Sequence, residues 1–287
     1  MDQFRIDQTA LVLEGGGMRG AFTAGVLDLF MDKGLFFPYS IGVSGGTNNG
    51  LSYFSRQRGR SYYAHVTLMK EQPYIGIRPW LKKKMVIDLD LLYEELVHTL
   101  YPYDFEAAFS NPGRFEVVAT HCITGEAHYL EERADPKRLL TIGRASCSLP
   151  ILSPEVWVDG QPMTDGGLAD SIPLKRAFGQ GFSKAVVVLT QNEGFRKPPS
   201  KFKVPSFILP RYPKVREMLY NRPARYNEQL EWVEQMEREG AVDIIRPLKP
   251  LEVGRLTTDY RRLQRLYDEG YENALTWYNR YHPVKGE

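Results

Sequence analysis

Apolar positions near the start of the chain form two short runs, and each run ends in a cluster of glycines. The runs Thr9–Leu13 and Tyr39–Val43 have the length and composition of strands buried in a parallel sheet. Each run leads, through its glycines, into a segment with the pattern of a helix, residues 21–33 and 47–57. Because two successive strand–glycine–helix units share one sheet, both clusters are expected at its carboxyl edge, where open α/β sheets bind ligands.

The rest of the chain continues the alternation of strands and helices and then becomes mainly helical. Strands are predicted at residues 115–121, 127–130, 155–158, 184–190 and 242–246, with a turn at 159–162. Helices are predicted at residues 61–69, 89–100, 136–145, 174–178, 214–239 (interrupted near Pro223) and 257–281. Aromatic and apolar residues recur every three or four positions in 257–281, which indicates a helix face packed on the core.

These elements predict an α/β protein with three layers, α/β/α, around a mostly parallel central sheet. We expect residues 7–195 to form the α/β domain, and residues 196–287 to form a proline-rich arm and a mainly helical C-terminal extension packed on the core. Residues 73–81 are apolar but broken by two prolines and a glycine, so they predict a loop. That loop either borders the site as a wall or lid or packs into the core.

The second glycine cluster contains a candidate nucleophile. Gly42, Ser44 and Gly46 satisfy the pattern G-x-S-x-G, in which the serine stands on a strained strand-to-helix turn with its hydroxyl above the sheet. The flanking glycines have a steric reason, since a side chain on either side would collide with the neighbouring strand or helix. The five-residue pattern by itself is equally compatible with an ordinary turn.

The first cluster forms a loop suited to holding an anion. Successive glycines at the start of a helix leave backbone N–H groups unshielded, with the positive end of the helix dipole behind them. Such a loop binds a phosphate or the oxyanion of an acyl-transfer intermediate. The residues of this glycine loop are Gly15, Gly16, Gly17, Met18, Arg19 and Gly20.

The glycine loop also satisfies the dinucleotide-binding pattern G-x-G-x-x-G. That fold expects an acidic residue at the end of the second strand, to bind a ribose. No Asp or Glu occurs between Asp32 and Glu71, and the position in question holds Ser44. A dinucleotide site is therefore disfavoured, and no cofactor is expected.

A third signal, far downstream, supplies a base for the serine. Asp165 is followed directly by Gly166 and Gly167. Taken in order, Gly-Gly-Gly-x-Arg-Gly, Gly-x-Ser-x-Gly and Asp-Gly-Gly resemble the motifs of the patatin-like phospholipases. The segment 145–150, small residues ended by proline, is similar to the stretch that precedes Asp-Gly-Gly in that family. The resemblance runs from about residue 9 to residue 190.

The resemblance implies a serine acyl hydrolase that cleaves lipid esters with a Ser–Asp dyad. Ser44 matches the family's nucleophile, Asp165 its catalytic aspartate, and the glycine loop its oxyanion hole. The family often has Asp where this chain has Glu14, a departure at the strand end that does not affect the N–H donors. Arg19 is expected either to hold a substrate phosphate or to pin the loop.

Two other functions stay open at this point. One is an esterase with a Ser–Asp–His triad, for which only His282 follows Asp165 in the chain. The other is a lipid-binding or regulatory protein on the same fold. Such a protein would more naturally have lost Ser44, Asp165 or a glycine of the loop, and none is missing.

Composition limits the partners. The chain has 37 basic and 35 acidic residues and a net charge of +2, so no nucleic-acid partner is expected. Basic runs at residues 82–84 and 196–203 predict solvated surfaces, with transient contact to anionic lipid headgroups as the alternative. The two cysteines, Cys122 and Cys147, form no disulfide framework and no metal-ligand spacing, so no metal is expected.

The sequence predicts a cytoplasmic protein, at most peripheral to the inner face of the membrane. Its start lacks the pattern of a signal peptide, and no run of 18 apolar residues is present. Neither the ester cleaved nor the oligomeric state is indicated by the residues.

Overall fold

One mixed sheet of eight strands organises the computed structural model, which describes residues 5–76, 79, 81 and 85–282. The strands are β1 Thr9–Leu13, β2 Tyr39–Val43, β3 Arg114–His121, β4 Ala127–Leu130, β5 Val156–Val158, β6 Gln161–Asp165, β7 Lys184–Val188 and β8 Val242–Ile245. Hydrogen bonds connect them in the order β5-β6-β3-β2-β1-β7-β8, with β4 also paired to β3. The pairs among β1, β2, β3, β7 and β8 are parallel, as expected, and β4, β5 and β6 form the antiparallel pairs.

Helical regions flank the sheet throughout the described part of the chain. They are α1 Gly20–Asp32, α2 Gly45–Phe54, α3 (the consecutive segments Arg60–Tyr62, Tyr63–Thr67 and Leu68–Glu71), α4 Leu91–Leu100, α5 Phe105–Ser110, α6 Pro136–Cys147, α7 Leu174–Gly179, α8 Pro213–Arg238 and α9 Tyr260–Tyr281. Single turns of 3₁₀ helix lie at Ile6–Gln8, Gly17–Arg19 and Gly166–Leu168.

Helices cover both faces of the sheet, which confirms the predicted α/β/α layers. On one face Leu11 and Val186 pack in a core shared with α1, α3 and α9. On the other face Val12 and Val187 pack with α7 and α8. Neighbouring residues of a strand enter different cores because successive side chains point to opposite sides of a sheet.

Strand β6 is the main element that the pattern did not predict. The turn expected at residues 159–162 is confined to Asp159 and Gly160, whose φ angles of 49° and 75° suit a two-residue hairpin turn. The chain then pairs antiparallel with β5 and β3. Pro162 is tolerated because it lacks only the N–H donor, and its carbonyl still accepts from the Cys122 N–H at 2.8 Å.

The long helix α8 also departs from the prediction, because it runs through Pro223 without interruption. A proline inside a helix costs about 3 kcal/mol, through a lost hydrogen bond and a clash with the preceding turn. Buried side chains on both sides of the proline hold the two halves in one helix. Tyr226 and Leu230 after it pack on the sheet, and Met218 before it packs with Cys122 and Leu168.

Helix α9 lies along α1, which confirms that the aromatic face predicted for residues 257–281 belongs to the core. The Tyr267 hydroxyl donates to Asp28 at 2.7 Å. The two backbones approach closely at two glycines. A β-carbon on Gly25 would lie 2.0 Å from the Tyr267 carbonyl oxygen, and one on Gly270 would lie 2.0 Å from the Phe22 carbonyl oxygen.

The loop predicted at residues 73–81 is described in part. Tyr74 and Ile75 are buried, and Ile75 forms a β-bridge with Ile87, so this portion packs into the core. The basic run at residues 82–84 lies outside the described residues. Within the described ranges, no helix combines the length and apolar character needed to cross a bilayer.

The contact between α1 and α9 predicts a steep stability effect. Gly270→Ala should lower the free energy of unfolding by roughly 1–3 kcal/mol, because the new methyl group overpacks against the backbone of α1. Gly179→Ala, at the end of α7 with no atom within 4 Å of the added carbon, is the matched control and should be neutral. Equal denaturation midpoints for the two variants would show that the helices are not in close contact.

Candidate active site

Ser44 occupies a sharp turn between β2 and α2. Its φ of 54° and ψ of −121° lie outside the backbone regions that residues other than glycine favour, as the strained strand-to-helix turn requires. The flanking glycines are needed for space. A β-carbon on Gly42 would lie 2.9 Å from the Gly46 carbonyl oxygen, and one on Gly46 would lie 2.6 Å from the Leu13 carbonyl oxygen.

The glycine loop packs directly against this turn. A β-carbon on Gly15 would lie 3.3 Å from Cβ of Ser44, and one on Gly45 would lie 2.8 Å from the Gly17 carbonyl oxygen. Gly17 itself has a φ of 57°. The two glycine clusters, separated in sequence, therefore meet at the carboxyl edge of the sheet, as the two successive strand–glycine–helix units predicted.

The structure narrows the set of N–H groups that this loop can offer to a ligand. Four loop N–H groups already donate to carbonyl oxygens of the protein; they belong to Gly15, Met18, Arg19 and Gly20. The acceptor for Met18 is the carbonyl of Arg255, at 3.1 Å. Within the described part of the chain, the N–H groups of Gly16 and Gly17 have no acceptor. The sequence predicted the whole loop as an oxyanion hole, whereas in the structure only these two of the described loop N–H groups are unpaired.

Strands β2 and β6 meet end to end on one side of β3. Residues 117–120 of β3 pair with β4 along one side of the strand. Val118 also pairs with β2 and Ala119 also pairs with β6, so both of these strands lie on the other side of β3. Val43 pairs with Val118 and Asp165 with Ala119, the next residue of β3. The carboxyl ends of the two strands, carrying Ser44 and Asp165, thus converge at adjacent positions.

The two carboxylate oxygens of Asp165 differ in their hydrogen bonding. Its side chain is 1% exposed, and Oδ1 accepts from the Gly167 N–H at 2.9 Å. Oδ2 is buried and has no hydrogen-bond partner among the described residues. Buried acceptors are nearly always paired, so a vacant one is unusual. Such an oxygen is free to take a proton from a neighbouring group. Gly166 permits the turn, because a β-carbon there would lie 2.1 Å from the Val118 carbonyl oxygen.

The last turn of α6 and the residue after it form a short segment that links the two residues, and its role was not assigned from sequence. The Ser44 N–H donates to Oγ of Ser146 at 2.9 Å. The Asp165 N–H donates to the Ser148 carbonyl at 2.9 Å. The small residues of this segment allow it to pass between the two turns. The run of small residues at 145–150 was the only signal in the sequence for this contact.

Glu14 and Arg19 are both buried beside the glycine loop. Glu14 is fully buried and accepts from the Thr190 N–H at 2.5 Å and from the Tyr226 hydroxyl at 2.9 Å, so it connects β1 to the chain after β7 and to α8. Arg19 is 6% exposed, and its Nε and Nη2 have no acceptor among the described residues. Burial lowers the pKa of Arg19.

The histidine of the predicted alternative triad lies far from Ser44. His282 is exposed and stacks on Tyr278, with ring centroids 4.4 Å apart. The preceding residue, Tyr281, lines a cavity with Thr9 and Lys184, the first residues of β1 and β7. His282 is therefore at the amino edge of the sheet, opposite the edge that carries Ser44. No group of three or more His, Cys, Asp or Glu side chains in the described ranges could hold a metal ion.

Two family models together match most of the chain. Residues 11–178 match the family model described as patatin-like phospholipase, and residues 212–283 match a domain of unknown function (DUF6363). The uncharacterised protein YjjU of Escherichia coli strain K12 is 31% identical over 209 residues, which cover 70% of this chain and 57% of that protein. VipD from Legionella pneumophila aligns at a TM-score of 0.49 and 14% identity, covering 96% of this chain and 67% of that one.

The two cysteines yield a prediction that separates serine from thiol chemistry. Burial raises the pKa of Cys122 and of Cys147 to about 12. At pH 8 only about one thiol in 10⁴ is then the reactive thiolate. We expect native protein to resist iodoacetamide at pH 8, and protein unfolded in guanidinium chloride to be alkylated at both positions, as read by peptide mass spectrometry. Rapid alkylation of native Cys147 would reveal a competing nucleophile near Asp165.

Proposed function

Since the chain belongs to the patatin-like phospholipase family, we propose that it is a lipid acyl hydrolase in which Ser44 is the nucleophile and Asp165 the base. The observation that supports this assignment most directly is the vacant, buried Oδ2 of Asp165 at the point where β2 and β6 converge. A serine hydroxyl needs such an acceptor to become nucleophilic. The substrate is a carboxylic ester of a lipid, and no cofactor enters the mechanism.

In the first half of the reaction, Ser44 Oγ bonds to the ester carbonyl carbon while its proton passes to Asp165. The carbonyl oxygen becomes an oxyanion, which the N–H groups of Gly16 and Gly17 stabilise; these groups have no acceptor among the described residues. The ester C–O bond then breaks, and the proton on Asp165 passes to the leaving alcohol. The acyl group stays bound to Ser44.

In the second half, water attacks the acyl carbon, and Asp165 accepts the proton of that water. The same two N–H groups stabilise the second oxyanion. When the bond to Ser44 breaks, the proton returns from Asp165 to the serine oxygen, and the fatty acid is released. One carboxylate serves both halves, which is consistent with a dyad that has no histidine.

We further propose that residues 7–195 form the catalytic domain, with residues 196–287 a proline-rich arm and a mainly helical extension that packs on it and adds β8 to the edge of its sheet. The contacts of α9 with α1 and of Tyr226 with Glu14 support this arrangement. Exposed apolar side chains in the arm, Phe202 and Phe207, support transient contact with a lipid surface.

The dyad is tested by comparing two aspartates. Asp165→Asn should lower turnover of a lipid ester about 10²–10⁴-fold, because the base is lost. Asp159→Asn should stay within severalfold of wild type, since Asp159 is an exposed partner of Arg138 in the β5–β6 turn. The reverse ranking in an ester-hydrolysis assay would falsify the assignment of the base.

The nucleophile is tested with a fluorophosphonate probe. Wild-type protein should be labelled and Ser44→Ala should not, because the probe phosphonylates an activated serine. Labelling of neither protein would favour the lipid-binding alternative, in which the fold is kept without the chemistry.

The proposed oxyanion donors are tested at Gly17. Gly17→Ala should slow turnover and phosphonylation of Ser44 in parallel, by about 10²–10³-fold. The substitution is disfavoured at a φ of 57°, and its methyl group would lie 2.6 Å from the Arg255 carbonyl oxygen. Gly194→Ala, with a φ of 74° and no atom within 4 Å, is a control for backbone strain alone and should leave labelling unchanged. Normal labelling of Gly17→Ala with a normal melting temperature would remove the loop from the mechanism.

A further inference from the structure

An open cleft beside the glycine loop is lined by four basic side chains, and the described residues of its wall include no carboxylate. The cations are Arg19 of the glycine loop, Lys197 of the arm, Arg222 of α8 and Arg255 of the segment before α9. The cleft has a volume of about 690 Å³, and Leu219 and Leu256 add apolar surface to its wall. Three of the four cations come from the chain after residue 178, where the match to the patatin-like model ends.

These four cations lack the ion pairs that other arginines of the protein make. Within the described ranges, none of the four lies in a salt bridge, whereas Arg246 alone contacts three carboxylates. Glu14, a buried carboxylate beside the glycine loop, is already bound by the Thr190 N–H and the Tyr226 hydroxyl. Positive charge in the cleft is therefore only partly balanced by the protein.

Arg19 is the buried side chain of the cleft that most needs an anionic partner. The side chain is 6% exposed, and its Nε and Nη2 are buried without an acceptor among the described residues. Burying a guanidinium without hydrogen-bond acceptors is strongly unfavourable, so such groups are normally paired. An anion in the cleft would supply the acceptors. The sequence alone left this arginine between a phosphate-binding and a loop-pinning role, and no side-chain hydrogen bond within the described part of the loop supports the second.

Lys197 and Arg222 are held by hydrogen bonds, Lys197 through its backbone and Arg222 through its side chain. Asn227 exchanges two hydrogen bonds of 2.9 Å with the backbone of Lys197. The Arg222 Nε donates to the Gly167 carbonyl at 2.9 Å, one residue beyond the glycine that follows Asp165. Burial, together with Arg222 and Arg255, lowers the pKa of Lys197 to about 6. Mutual repulsion of this kind is relieved when an anion binds.

We propose that this cleft binds the phosphate monoester headgroup of a lipid substrate and so directs an ester of the same lipid to Ser44. The inference rests on the proposed acyl hydrolase function. A phosphate monoester carries a charge of about −2 and three strong acceptor oxygens. The three arginines of the cleft offer fixed positive charge to such a group, and Lys197, whose pKa is lowered to about 6, gains its proton when the anion binds. A headgroup that ends in a quaternary ammonium would place a cation in the same positive field and is disfavoured.

Binding is measured on Ser44→Ala protein, so that the ligand is not consumed. Calorimetric titration compares lysophosphatidate with the monoacylglycerol of the same chain length and with inorganic phosphate. We expect lysophosphatidate to bind at least about tenfold tighter than the other two, because only it offers both a phosphate and an acyl chain. Equal binding of monoacylglycerol would overturn the cleft as a phosphate site. Equal binding of inorganic phosphate would show a site for free phosphate and overturn the substrate assignment.

Matched substitutions locate the site. Lys197→Gln and Arg255→Gln, each added to Ser44→Ala, should weaken lysophosphatidate binding roughly tenfold, since each removes one charged hydrogen-bond donor. Lys201→Gln, at an exposed lysine of the same arm, is the control and should not change it. Melting temperatures show that each variant is folded. If both cleft variants bind like the control, the proposal fails.

Hydrolysis by the wild-type protein separates this proposal from the one on which it rests. Turnover of lysophosphatidate faster than of monoacylglycerol supports both. Fluorophosphonate labelling with equal turnover of the two lipids overturns the headgroup cleft alone. Tight lysophosphatidate binding without labelling or turnover overturns the acyl hydrolase and the link of the cleft to Ser44.

Discussion

The meeting of β2 and β6 on the same edge of β3 is the constraint on which the candidate site depends. The two strands end opposite consecutive residues of β3, so neither chain can continue along the sheet. Each must turn out of the sheet at once. One turns at Ser44, with a φ of 54°, and the other at Gly166, where any side chain would strike the backbone of β3. The small residues around both turns follow from this steric demand, and the convergence of Ser44 and Asp165 follows from the sheet register.

Glu14 links this edge of the sheet to the C-terminal third of the chain. Its buried carboxylate joins the end of β1 to Thr190 after β7 and to Tyr226 of α8. The same helix places Arg222 against the turn that follows Asp165. Because these contacts are short and buried, the position of α8 is tied to the geometry of the site. The carbonyl of Arg255, bound to the Met18 N–H, extends the same contact across the glycine loop.

The buried carboxylates and most of the basic side chains come from different parts of the chain. Glu14 and Asp165 lie at the ends of β1 and β6, whereas three of the four basic side chains of the cleft belong to the arm, to α8 and to the segment before α9. The free N–H groups of Gly16 and Gly17 lie in the same loop as Arg19. A substrate with a negative headgroup and a polarised ester would meet positive potential at both points. Fixed donors of this kind act without reorganisation, which is why they contribute strongly to acyl transfer.

The sequence by itself determined the features that depend on near neighbours in the chain. The strands β1, β2 and β7, the turn at Ser44 and the buried face of α9 were all predicted and are all present. Alternation and glycine spacing are local, since they reflect the sterics of a few consecutive residues.

Only the tertiary structure decided the features that depend on distant contacts. Gln161–Asp165 forms a strand because the end of β3 has an edge free to pair with it. Helix α8 continues through Pro223 because residues on both sides of the proline are buried. The basic run at residues 196–203 was predicted to be solvated, yet Lys197 lies 3.1 Å from the centre of the Tyr226 ring. The Met18 N–H of the glycine loop is bound by the carbonyl of Arg255, more than two hundred residues away. Such contacts leave no periodic trace in a sequence, because the residues that make them are brought together only by the folded chain.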